Sequence, residues 1–188
     1  MRDVFLEKVS KIIDTYTIHF KGLTTGQHIF NFDVESAFFN EFEGSEVTGG
    51  MLKVEVVLVK HSNMMELDFF IEGDVEVQCD RCLEPFTIPT EYEGKLVVQI
   101  SDTLEEDEQS DEIWFVNSNE FELPLGQYIY ESICLSLPIQ RFHGILGTSE
   151  ENCDKEMLNQ LNKLSHNVKP QKGTTDSRWD KLKDLRNN

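Results

Sequence analysis

The residues most able to do chemistry in this chain are its four cysteines and five histidines, and two of the cysteines sit close together. The run Val77-Gln78-Cys79-Asp80-Arg81-Cys82-Leu83-Glu84-Pro85-Phe86 carries a C-x-x-C. A tight turn at that spacing aims two thiolates at a common point, where they can grip a tetrahedral ion such as zinc. Two more ligands are then needed. His143 and Cys153 are the best candidates, because both lie in the irregular stretch after Pro138 and loops can bring distant ligands together. Cys134 is a poorer candidate, since it falls inside a helical pattern beside the apolar stripe. His143 and Cys153 are not a second closely spaced pair, so spacing alone leaves three readings open. The cysteines hold zinc; or Cys79 ends the buried face of a strand and Cys82 packs beneath the turn as a small hydrophobe; or the two form a redox pair. The redox reading is the weakest, because no helix follows the motif to lower a thiol pKa from its N-terminus.

Nothing else in the chain suggests catalysis, and the sequence reads as that of a non-enzyme. It has no Gly-rich phosphate loop and no G-x-S-x-G. The histidines, His19, His28, His61, His143 and His166, are scattered. The acids Glu105 to Glu108 are contiguous rather than set across a cleft, as acid–base catalysis requires. Phe38, Phe39 and Phe42 read as core filler rather than as platforms for bases.

The elements that must position the C-x-x-C are strands. From Met65 to Cys79, apolar residues (Met65, Leu67, Phe69, Ile71, Val75, Val77) alternate with acids and amides, with Phe70 the exception. Period-2 alternation predicts a strand with one buried and one wet face. Met51 to Lys60 predicts the strand before it, across a turn at His61-Ser62-Asn63, and Phe86 to Ile100 the strand after it. Three long strands on short turns predict an antiparallel meander. Gly73 is expected to mark a bulge or bend. Shorter strands are expected at Lys11–Phe20, Gln27–Phe32 and Ile113–Val116, with a short helix at Val34–Phe42. Asp102 to Glu112 reads as an acidic solvated loop.

Helices dominate the second half. Pro124 suits a first helical turn, and Leu125, Ile129, Ile133 and Leu137 form one stripe before Pro138 ends it. Asp154 to Leu164 is a second amphipathic pattern, Ser165 to Thr175 a polar linker, and Asp176 to Leu185 a short helix. The fold class expected is therefore α+β, an antiparallel β-sheet meander followed by helices. The domain division expected is 1–150 for the sheet domain and 151–188 for a helical tail.

Charge and composition limit the partners. The chain has 188 residues and a net charge of −18. The last 29 residues hold seven Lys/Arg against three acids, so the first 159 hold ten Lys/Arg against 32 acids. Such a body repels phosphate backbones and draws basic proteins. The N-terminus lacks the apolar stretch of a signal peptide, and no run is long enough to span a membrane. A cytoplasmic location is expected, where the thiols stay reduced.

The run Cys79-Asp80-Arg81-Cys82-Leu83-Glu84-Pro85-Phe86 after Val75-Glu76-Val77 resembles the hallmark of the YceD-like family, a C-x-R-C turn between two strands. Leu135-Ser136-Leu137-Pro138, His143 followed by Cys153, and Asp176-Ser177-Arg178-Trp179-Asp180-Lys181-Leu182 resemble further family segments, with Ser177 where a proline is usual. The resemblance covers roughly residues 40–188. It implies a bacterial protein, without enzymatic activity, that supports accumulation of large-subunit ribosomal RNA. The partner it implies is a ribosomal protein or a ribosomal RNA precursor. It singles out Arg81 in the turn as a binding residue, with Arg178 and Trp179 in the tail. Some members lack the second turn cysteine, so the resemblance does not make zinc obligatory.

Overall fold

The computed structural model describes residues 12–101, 113–149 and 152–166. The chain divides into two units, Met1–Cys153 and Asp154–Asn188. In the first, β1 (Thr17–His19), β2 (Gly26–Glu35), α1 (Ser36–Phe39), β3 (Val47–Lys60), β4 (Met64–Gln78), β5 (Pro85–Ser101), β6 (Ile113–Asn117), β7 (Glu122–Pro124) and α2 (Gly126–Ser136) follow in order. In the second, the described element is α3 (Lys155–His166). This is an α+β fold, as the alternation and the stripes imply. No described helix is long and apolar enough to cross a membrane.

The main sheet has the order β2-β3-β4-β5-β6. Its first four strands form the antiparallel meander, paired from Gly26↔Lys60 through Lys60↔Met65 to Gln78↔Pro85. The alternation of β4 is obeyed: Met65, Leu67, Phe69, Ile71, Val75 and Val77 are all buried, facing Leu52, Val54, Val56 and Leu58 of β3 and Ile88, Leu96 and Val98 of β5 on the same face. At roughly 1.5–3 kcal/mol per fully buried large aliphatic or aromatic side chain, this face is the main source of stability. Rings close over it. Tyr128 of α2 lies 4.5 Å from Phe69 and 5.9 Å from Trp114, and Tyr16 lies 4.7 Å from Phe38.

Several local expectations are corrected. The strand foreseen over Lys11–Phe20 shrinks to Thr17–His19, which pairs with β7, because a 3₁₀ turn at Asp14–Tyr16 swings Tyr16 into the core. The Tyr16 hydroxyl donates to the Asp33 carbonyl at 2.9 Å. Val34 and Glu35 stay in β2, so only Ser36–Phe39 is helical where a helix over Val34–Phe42 was expected. Phe42 lies past that helix and stacks on Tyr130 at 3.8 Å. Pro124 ends β7 rather than opening α2; Leu125 takes the cap position and its N–H donates to Tyr16 O. Strand β6 joins β5 in parallel, after residues 102–112, which lie outside the described residues.

Gly73 marks no bulge, since its register with Leu52 and Thr90 is regular. It marks a close approach instead: a Cβ there would collide with Met51 O and come within 2.7 Å of Leu52 Cα. The irregularity of the ladder falls between Val47 and Gly49.

Candidate metal centre

The Cys79–Cys82 turn is the tip of the β4–β5 hairpin, and the backbone there is closely specified. The N–H of Cys79 donates to Glu84 O at 3.0 Å, and that of Leu83 donates back to Cys79 O at 2.9 Å. Leu83 sits at φ 65, the left-handed region in which a leucine is unfavourable. That reversal turns the chain immediately after Cys82 and sends it into β5.

The tip is clasped from outside by the segment after α2. Asp80 N–H donates to Arg141 O at 2.7 Å, and Arg141 N–H donates to the Asp80 carboxylate at 2.6 Å. The Arg141 guanidinium reaches Glu46 at 2.7 Å. Arg81 lies over the ring of Phe142, with Cζ 3.8 Å from the centroid. The next residue, His143, is thereby carried inward. Its ring lies 4.7 Å from that of Phe86, and its Nδ1 is 3.5 Å from Cys82 Sγ. Gly144, at φ 100, bends the chain away again, and Thr148 Oγ1 accepts the Gly144 N–H while donating to Ile145 O.

This arrangement brings Cys79, Cys82, His143 and Cys153 together. All four are buried, and one ligand atom from each lies within 4.8 Å of the others. A tetrahedral zinc with ligands at about 2.0–2.3 Å needs them roughly 3.5–4 Å apart, so small side-chain movements suffice. Three sulfurs and one imidazole form a donor set typical of closed structural zinc sites. The residues present therefore fit the metal.

Two of the thiols at the site are shifted in opposite directions. Burial alone would push the Cys79 thiol up, but the backbone amides of Cys82, Arg81 and His143, with the Cys82 side chain, together lower it to about 6. Amides that converge on a sulfur favour its thiolate, which is the form that binds metal. Cys153 is pushed up to about 12, by burial first and then by the sulfurs of Cys82 and Cys79 beside it. A cation placed among three such sulfurs would relieve that crowding.

Cys134 stays outside the group. It is half-buried in α2, and its thiol is raised chiefly by burial. Arg81 is exposed at the tip, stacked on Phe142 rather than free in solvent. Arg178 and Trp179 lie outside the described residues, as does the helix expected over Asp176–Leu185. The residues that sequence reasoning passed over are Arg141 and Phe142. The signal available was slight: an arginine and an aromatic immediately before His143, matching the Asp80 and Arg81 of the turn.

Neither the curated proteins nor the solved structures compared with the chain match it. A family model does, over residues 67–186, which includes the hairpin tip and all four donors. With the match spanning well over half of its length, the chain belongs to the family described as large ribosomal RNA subunit accumulation protein YceD.

Proposed function

We propose that this protein supports ribosomal RNA accumulation in the cytoplasm by binding, not by catalysis, and that zinc held by Cys79, Cys82, His143 and Cys153 fixes its hairpin tip. The observation that carries the functional half is the family match, which spans the tip and the segment that clasps it. The four-donor cluster supports the structural half. Zinc in such a site supplies no reaction step. It ties the β4–β5 hairpin tip to His143 and Cys153, so that Arg81 is presented from a fixed backbone.

The partner that fits is a basic component of the large subunit. The first 159 residues carry a net charge of −22, which steers cationic proteins and repels bare phosphate. The seven Lys/Arg of the last 29 residues, Arg178 among them, together with Trp179, are the part suited to touching RNA. Pull-down by the intact protein at low salt, followed by identification of bound ribosomal proteins and precursor RNA, tests the reading. Capture that weakens as salt is raised is expected. Absence of ribosomal material at low salt would contradict it and favour an adaptor with a non-ribosomal partner. A thiol redox role for Cys79 and Cys82 is less well supported, since four donors rather than two converge at the tip.

A further inference from the structure

The outer face of the main sheet takes no part in the clasp, yet it carries a groove of about 330 Å³. Three consecutive residues from each of β2, β3, β4 and β5 line it, at matching register. Two outward-facing rows form its walls. One is Asn31–Glu55–Phe70–Glu93, and the other is Asp33–Lys53–Glu72–Glu91. The groove therefore crosses the strands instead of following them. Four strands at about 4.8 Å spacing give it a length of roughly 14 Å, which is about four residues of extended chain.

Its chemistry is selective. Five carboxylates face one ammonium, that of Lys53. No ion pair engages these six groups among the described residues. Glu72 and Glu91 are directly opposite each other on neighbouring strands, a pairing of like charges that works against the sheet. Phe70 stands in the middle of this acidic field with 42% of its surface exposed, breaking the alternation of β4. An arginine or lysine satisfies both features at once. Its stem packs on an aromatic ring while its head reaches a carboxylate. A nucleic acid satisfies neither, because its phosphates would meet the carboxylates.

We infer that this groove binds an extended lysine- and arginine-rich segment of a protein partner, laid across strands β2 to β5 with one cationic side chain over Phe70. The inference rests on the binding function above, and gives the contact with the basic partner its place and its chemistry.

The test uses the full chain and a short fluorescein-labelled Lys-Arg repeat peptide, read by anisotropy at low salt. Glu72→Gln/Glu91→Gln removes two groove carboxylates. Glu43→Gln/Glu120→Gln removes the same charge from exposed positions outside the groove. The groove pair is expected to weaken binding about tenfold and the outer pair about twofold or less. Phe70→Ala is expected to weaken it several-fold at unchanged net charge. The groove pair should melt no lower than the parent, since it removes an opposed like-charge pair. Equal losses from both pairs, no effect of Phe70→Ala, or no peptide binding by the intact protein would overturn the inference. So would a labelled oligoribonucleotide that binds the parent directly and loses that binding with Phe70→Ala. Ribosomal material captured equally by the parent and the groove pair would overturn the groove while leaving the binding function standing. Failure of the parent itself to capture any would overturn that function, with the peptide titration still reading the groove independently.

Discussion

Asp80 joins two distant stretches of chain with a reciprocal pair of hydrogen bonds, accepting from Arg141 N–H through its carboxylate and donating to Arg141 O through its own amide. The side-chain half can be removed alone. Asp80→Ala is expected to cost about 1 kcal/mol in chemical unfolding, and to loosen the clasp without touching a metal donor. Arg81 acts differently. Its stack on Phe142 is solvent-exposed, so Arg81→Ala should cost no more than about 1 kcal/mol of stability while weakening capture of ribosomal material. A variant that melts normally and captures normally would leave Arg81 a plain turn residue. At this scale the sequence was informative where spacing carries meaning. The C-x-x-C and the only histidine and cysteine in the loop after Pro138 nominate the same four residues that the fold brings together. Arg141 and Phe142 were not legible, because their roles depend on contact with residues about sixty positions away.

Among the elements, β3, β4 and β5 were readable because one face of each is buried and the other wet, so the pattern survives intact in the sequence. The shorter pieces were not. Whether Pro124 opens a helix or ends a strand depends on β1, which lies about a hundred residues earlier and pairs with β7. The parallel placement of β6 has no local signal at all. In sequence Gly73 suggests a bulge or bend, but glycine in a strand also marks close backbone approach, and only the neighbouring backbone tells these apart. Gly73→Ala is expected to cost about 2–4 kcal/mol, since the β3 backbone cannot move aside and φ is +151. Gly22→Ala, where nothing lies within 4 Å, is the near-neutral control. Helix α2 makes a second prediction through Tyr128, whose hydroxyl lies 3.1 Å from that of Tyr92. Burial, and then the bond with Tyr92, raise its phenol above the ordinary value of 10.0. A raised folded-state pKa means that the contribution is full below about pH 10 and is lost as pH climbs towards the folded value. Tyr128→Phe should therefore flatten the alkaline fall in melting temperature, and an unchanged alkaline limb would contradict this.

For the molecule as a whole, the segregation of charge matters more than its total. On the proposed binding function, the anionic first 159 residues would take the cationic protein and the basic last 29 the RNA. The charge balance was fully legible in the sequence, but the groove was not. Its five carboxylates come from four strands, and only the register places them side by side. The four-donor cluster at the hairpin tip is the feature on which the proposed function depends, since zinc held there would fix the segment from which Arg81 projects. The most direct test is the zinc content of protein purified without chelator, measured beside Cys82→Ser and followed by thermal melting. About one zinc per chain is expected in the parent, with loss of that zinc in the variant and a lower melting temperature for the variant and for chelator-treated parent alike. A parent without zinc that takes up none when zinc is added, and that melts as before with chelator present, would contradict it and leave the four residues as ordinary core.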